Sequence, residues 1–475
     1  MTRRRGETFD LATERLSERT VSKYRGVEVN TRNPEPETRN PLMISLPYGK
    51  SSIEVPDLWN GRATVLSPGP FPDPDPEETV THALDNPLGD VSLEKLCGAG
   101  CRVACVIPDL TRRAAVREYL PVLLQWLSDI GVSHADITII VALGIHRPLS
   151  DAELRELVGN KVRDSYRVIN HDPDGKGSNI LLGTTDAGIP VEINKSVAKA
   201  DCVILTGGIT YHYFAGYGGG RKTLLPGVAS RQACEDHHRL VVSWRRGELE
   251  GELAPGVLTD NPVHRQMVQA CAFISPIFVL NVVTAPGGRI IAASSGELEA
   301  AHMDACQKHD SWFRMELKAP PELVIAGAGG YPKDVNFIQA HKGLFAAHQA
   351  VAGDGVVVLA ADCAEGTGHE DLLDWFDSCH SENKWLDELQ ARYQINGQTA
   401  FSTWLRVTTV PTVLVSRLKS SDVKRMGMIP AMNMKEALKA AEEILGELPV
   451  PLIIPDAGDV LPVVGSPKPK DQSPK

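Results

Sequence analysis

The chain has 475 residues, 42% of them hydrophobic, and a formal net charge of -11. That length exceeds one typical domain and suffices for two or three. The acidic balance argues against a nucleic-acid surface, and no stretch approaches the roughly eighteen uninterrupted apolar residues of a spanning helix; a cytoplasmic protein with no nucleic-acid or membrane partner is expected.

Residues 1–40 are polar, mixed in charge and end in RNPEPETRNP, which reads as an N-terminal extension with one short helix over 10–19. PLMISLPYGK opens the folded body as a strand. PGPFPDPDPEE, residues 68–78, carries five prolines and reads as a linker or surface loop. From residue 101 the rhythm is α/β. CRVACVIPD is a buried strand, 114–127 an amphipathic helix and 136–144 a second apolar strand. Ser150 with Glu153 forms a capping-box pattern for a further helix, and DCVILTGG is a third strand. Strands over 278–285 and 289–296 flank a Pro-Gly-Gly turn, with a helix near 297–309. PELVIAGAGG, a helix over 339–350, GVVVLAADC, TVLVSR, NMKEALKAAEEILG and PLIIPDAGD continue the alternation. Apolar strands alternating with helices imply mostly parallel sheets, with functional loops at the strands' carboxyl ends. The expected fold class is therefore α/β, with one α/β domain over 41–289, a second over 290–460, and a disordered tail over 461–475.

The nine cysteines do not suggest a disulfide scaffold. Cys97, Cys101 and Cys105 are regularly spaced as a metal cluster would be, but Cys105 falls in an apolar run where a buried thiol is the plainer reading.

YHYFAGYGGGRKT, residues 211–223, concentrates a histidine, four glycines and Lys222. Glycines permit close approach of backbone to a ligand, and Lys222 offers both a cation and a nucleophilic amine, so the segment reads as a cofactor cradle. A nucleotide-hydrolase phosphate loop requires Gly-Lys-Ser/Thr at its end; here the last glycine of that pattern is Arg221.

Three polar loops follow expected strand ends: Asp109 with Arg112, then His146, then His212. Arg112 can fork onto a carboxylate or phosphate, and His146 and His212 can act as general acid and base near neutral pH. Of the adjacent His237 and His238 on one helix, only one can face a pocket. Gln339 and Lys342, three apart, share a helical face.

Together DLTRR at 109–113, GIHRP at 144–148, YHYFAGYGGGRKTLLPG at 211–227 and GGYPKDVNFIQAHKG at 329–343 resemble the signatures of the nickel-pincer-nucleotide-dependent lactate racemase family. The resemblance implies two α/β domains with the active site in the cleft between them. It also implies a nickel-pincer nucleotide, a pyridinium mononucleotide whose thioamide and thiocarboxylate sulfurs and one ring carbon hold Ni(II), delivered with the help of cofactor-maturation proteins. By that resemblance Lys222 carries the cofactor covalently and His238 is the nickel ligand, with His237 behind it. Soft sulfur donors and planar geometry suit nickel, so one protein imidazole suffices. Gly218, Gly219, Gly220, Arg221 and Thr223 would contact the cofactor, the last two at its phosphate. His146 and His212 would exchange the hydroxyl proton of a 2-hydroxy acid on opposite sides while its C2 hydrogen moves as hydride; Asp109, Arg112, Gln339 and Lys342 would position cofactor and substrate.

The chain departs from the lactate-specific pattern at Arg113, Ile338 and Gln398, where a proline and two aromatic residues are expected. This implies C2 racemisation or epimerisation of a 2-hydroxy acid larger or more polar than lactate. Gln398 would hydrogen-bond it, and Arg113 would engage a second carboxylate or polyhydroxylated chain, or else face solvent. The alternative is a non-catalytic protein that binds the pincer cofactor.

Overall fold

The computed structural model describes residues 43–112 and 114–465. The expected extension over 1–40, its short helix, Arg113 and the tail beyond 465 lie outside the described residues. Two six-stranded sheets organise the rest. In the first, the order is Ile290–Gly296, Ile277–Thr284, Cys202–Gly208, Val103–Pro108, Ile137–Ala142, Arg167–Asn170. All neighbours are parallel except the edge strand Ile290–Gly296. The second is parallel throughout, in the order Ile429–Ala431, Thr412–Val415, Val356–Ala360, Leu323–Gly327, Leu452–Ile454, Thr64–Val65.

The continuous apolar runs are explained by cover on both faces. Every residue of Val103–Pro108, Leu323–Gly327 and Val356–Ala360 is buried, as helices on both sides of a parallel sheet require. Ser150 accepts from Glu153 N–H, and the Glu153 carboxylate accepts from Ser150 N–H, so the expected capping box starts the Asp151–Val158 helix.

Three expected boundaries differ. Ile290–Gly296 pairs antiparallel with Ile277–Thr284, and the Leu298–Phe313 helix packs on both strands, so the chain does not leave the first lobe at 290. Its hairpin turn, closed by Ala285 and Arg289, is short enough to force that pairing. Residues 43–66 instead belong to the second lobe: Leu46 packs with Leu323 and Ile325, and Thr64–Val65 is an edge strand there. At the other end Leu461–Val464 pairs with Arg314–Leu317, so the folded chain runs past 461. Within the proline-rich stretch a helix begins at Pro76, where a missing N–H costs nothing, with Asp75 accepting from Glu78 N–H. Among the described residues no helix is long and apolar enough to cross a membrane.

Candidate active site

Three adjacent strands of the first sheet, Cys202–Gly208, Val103–Pro108 and Ile137–Ala142, carry the loops with His212, Asp109 and His146 at their carboxyl ends. The outer connections leave in opposite directions from the Cys202–Gly208/Val103–Pro108 pair, which makes this a topological switch point and a natural crevice.

Asp109 is 2% exposed, and its Oδ2 lies 2.8 Å from His146 Nδ1. Thr111 N–H donates to the other carboxylate oxygen at 2.7 Å, and Arg112 Nε lies 4.0 Å from Oδ2. Burial alone would raise this carboxyl; the His146 hydrogen bond, the Arg112 charge and Thr111 outweigh it and hold Asp109 well below the usual carboxylate range. Ionised Asp109 therefore keeps the proton of His146 on Nδ1 and leaves Nε2 as an open lone pair. His146 reaches its place through a tight turn at Gly144, φ +55°, with Gly144 N–H on Gly227 O at 2.8 Å.

His212 sits in a two-residue strand paired with Gly216–Tyr217. Its Nδ1 accepts from Ala215 N–H at 3.3 Å, which is the reverse of the His146 arrangement. Burial, then the charges of Lys222 and Arg112, with His238 and Lys342 adding to them, push His212 well below its ordinary value.

Lys222 lies in the short Gly220–Leu224 helix, with Nζ 5.7 Å from the centre of the Phe214 ring. Burial, Arg112, Arg221 and Lys342 push its amine well below normal, which favours the neutral nucleophile. His238, on the Arg231–Arg245 helix, hydrogen-bonds Cys234 O through Nδ1 at 2.7 Å, so Nε2 is left as a donor for metal; burial and Lys222 bring it down to about 4. His237 turns the other way, fully buried, with Nε2 3.3 Å from Val263 O. From the second lobe, the Phe337–Ala350 helix brings Gln339 and Lys342, with Lys342 Nζ donating to Gln339 Oε1 at 3.2 Å. Lys342 is itself exposed, but desolvation by the surrounding protein and the Arg112 charge bring it down to about 8. Asp109 is a buried carboxylate set beside Arg112, and Lys342 feels Asp459 as well as Asp109; the basic groups Arg112, Lys222 and Lys342 act on one another across the crevice.

Two expectations for the glycine segment are corrected. Arg221 does not reach toward a phosphate: it is 1% exposed, and its guanidinium donates to Gly218 O, Ala215 O, Tyr217 O and His264 Nδ1. Thr223 Oγ1 donates to Gly220 O at 2.6 Å. Both groups are used in closing their own loop, because its turn leaves carbonyls that must be satisfied in the interior. The glycines are likewise required by protein contacts. A Cβ at Gly220 would lie 2.8 Å from Leu205 O, and one at Gly219, φ +100°, 3.0 Å from Asn281 Oδ1. Asn281, which the sequence did not single out, fixes the segment by accepting from Gly220 N–H at 2.8 Å. Gln398 is also committed: it is 2% exposed, its Oε1 accepts from Tyr393 and its Nε2 donates to Tyr213 Oη at 3.0 Å, so it is no free partner for substrate hydroxyls. Ile338 is partly buried against the second-lobe core.

The lactate racemase N-terminal domain family matches residues 48–248, and the lactate racemase C-terminal domain family matches residues 317–461. Over 429 residues the chain is 31% identical to the lactate racemase of Thermoanaerobacterium thermosaccharolyticum, covering 88% of this chain and 98% of that one. The chain belongs to the lactate racemase family. Another lactate racemase, from Lactiplantibacillus plantarum, is 29% identical over 434 residues, covering 88% of this chain and 99% of its own. The solved lactate racemase apoprotein of T. thermosaccharolyticum superposes with a TM-score of 0.80 at 30% identity, over 89% of this chain and all of that one. A Thermotoga maritima protein, 18% identical with a TM-score of 0.61 over 83% of this chain and all of its own, shares the fold. The family's nickel cofactor can be tested against these residues. Among those described, no three His, Cys, Asp or Glu side chains converge as a metal site. A metal held here must bring its other donors with it, and His238, with Nδ1 taken by Cys234 O and Nε2 left over, together with the Lys222 amine, whose pKa burial pushes down, fits such a group. Lys222 would hold it covalently and His238 would ligate its metal.

Proposed function

We propose that this protein racemises or epimerises a 2-hydroxy acid at C2 with a nickel-pincer nucleotide attached through Lys222 and ligated by His238. The observation that carries this reading is a pair of oppositely wired imidazoles at neighbouring strand ends, His146 and His212, which both act on His238 beside Lys222. A site that only held a cofactor would have no use for two such imidazoles.

The cofactor, when bound, supplies a reversible acceptor for the C2 hydride. The protein's own groups do the rest. Lys342, with Arg112, draws in the substrate carboxylate, and Gln339 orients an oxygen beside it. His146, with Nε2 open and Asp109 behind it, takes the hydroxyl proton of one stereoisomer; Asp109 stabilises the resulting imidazolium. His212 serves the oxygen of the opposite stereoisomer.

For the substrate we propose a 2-hydroxy acid larger or more polar than lactate. Ile338, in place of an aromatic wall, supports it; Gln398, already paired with two tyrosines, does not. The test is chiral chromatography of lactate, malate and aldonic acids incubated with cofactor-loaded protein. Racemisation of none of them would overturn the activity; a clear preference for lactate would overturn only the substrate.

A further inference from the structure

The hairpin that carries His212 is held from two sides. Within the first lobe, the hydroxyls of Tyr211 and Tyr217 both donate to the Asp310 carboxylate at 2.8 Å. On the other side, Tyr213 is bound by the second lobe: its Oη accepts from Gln398 Nε2 at 3.0 Å, and its ring meets His341 edge-on at 5.8 Å and Phe345 at 5.7 Å. Gln398 is itself fixed by Tyr393, and it lies in the Ile395–Val407 helix, far from the hairpin in sequence. The ring of Tyr213 lies nearly parallel to that of His212, 14° between planes and 5.3 Å between centres. Phe214 meets the His212 ring edge-on at 4.4 Å and packs edge-on against Tyr213 at 4.7 Å. A buried amide with both ends committed to tyrosines is costly to place unless every bond is made, so the pairing is sensitive to how the lobes meet.

We propose that Gln398 and Tyr213 form a relay that positions the His212 ring according to the docking of the second lobe, making both of them positioning residues for proton transfer. The inference rests on the reading that His212 serves the substrate oxygen. Gln398 acts through Tyr213, and Tyr213 acts by limiting the ring's rotation. When the second lobe moves away, the phenol loses its anchor and His212 loses the wall that aims Nε2 into the crevice. A parallel aromatic face also favours an imidazolium, partly offsetting the burial and the neighbouring charges of Lys222, Arg112, His238 and Lys342 that oppose it.

The test uses the full-length protein in two states. In the apoprotein, nitrogen NMR of histidine rings reports His212, identified by the signal lost in His212→Gln. Tyr213→Phe keeps the ring and removes the hydrogen bond; Gln398→Leu removes it from the other lobe. Both should shift the His212 signals while leaving those of His146 in place. Unchanged His212 signals in either variant would overturn the relay. In cofactor-loaded enzyme, with the best substrate among lactate, malate and aldonic acids, each variant should lose about tenfold in kcat with KM changed less than about threefold, and the double variant should lose no more than either single one. Additive losses, or a change confined to KM, would also overturn it. Loaded wild type that racemises nothing would refute the functional reading alone, since the ring signals still decide whether Gln398 and Tyr213 position His212.

Discussion

Nδ1 of His146 faces the Asp109 carboxylate at 2.8 Å, whereas Nδ1 of His212 faces the backbone N–H of Ala215 at 3.3 Å. One imidazole is therefore set with its proton inward and its lone pair outward; the other, while its Nδ1 accepts from Ala215, carries its proton outward on Nε2, and it takes a substrate proton there only after that long bond is given up for the other tautomer. A stereoisomer pair presents its hydroxyl to two sides, and the two sides here are chemically unequal.

Asp109→Asn should disable the His146 side. The amide can present its NH₂ to Nδ1, which favours the wrong tautomer, and kcat should fall at least about 100-fold with little change in KM. Because folding depresses the Asp109 pKa, the carboxylate's stabilisation is present above its unfolded value near 3.9 and is lost as pH falls through the folded value. Urea unfolding should thus separate wild type from variant at pH 7, with the gap narrowing in strong acid.

His146→Ala and His212→Ala should each abolish turnover in both directions, since the full cycle uses both rings. Single-turnover absorbance of loaded protein with each pure stereoisomer should still show a response to one isomer and not the other, with the responsive isomer exchanged between the two variants. Bidirectional turnover in either variant would remove the two-histidine scheme.

Lys222 should be an unusually reactive amine. With its pKa pushed down by burial and three neighbouring cations, more of it is unprotonated at pH 7 than of a surface lysine. Limited acylation of the apoprotein followed by peptide mass mapping should modify Lys222 ahead of exposed lysines. Lys222→Ala should also prevent the covalent cofactor mass adduct.

His238→Ala and His237→Ala should separate metal retention from stability. The first should lose nickel from loaded protein with little change in unfolding. The second removes a fully buried ring and its bond to Val263 O, and should destabilise by about 1–3 kcal/mol with smaller metal loss. Metal analysis and urea unfolding of the pair decide between them.

Lys342 should set an alkaline limb. Its pKa of about 8 means that the ammonium is lost as pH rises through that value, so carboxylate binding weakens above it. Kcat/KM should fall on the alkaline side for wild type, and Lys342→Met should lower it throughout and flatten that limb.

Sequence alone determined the strands, because a parallel strand covered on both faces must be a short continuous apolar run, and Val103–Pro108, Cys202–Gly208 and Leu323–Gly327 are such runs. It also placed Asp109, His146 and His212 after strand ends, where an α/β sheet gathers chemistry. Only the tertiary structure decided which donors were free. Arg221 and Thr223 carry the right groups for a phosphate, yet the loop's own carbonyls lie nearer and claim them; Gln398 could serve a substrate, yet Tyr213 and Tyr393 already fill its amide. The lobe membership of Ile290–Gly296 and of residues 43–66 was equally hidden, since strand pairing joins segments distant in the chain and the apolar pattern of a strand does not name its neighbour. Hydrogen-bond capacity is written in a residue's type; the partner that uses it is set by what folding brings within reach.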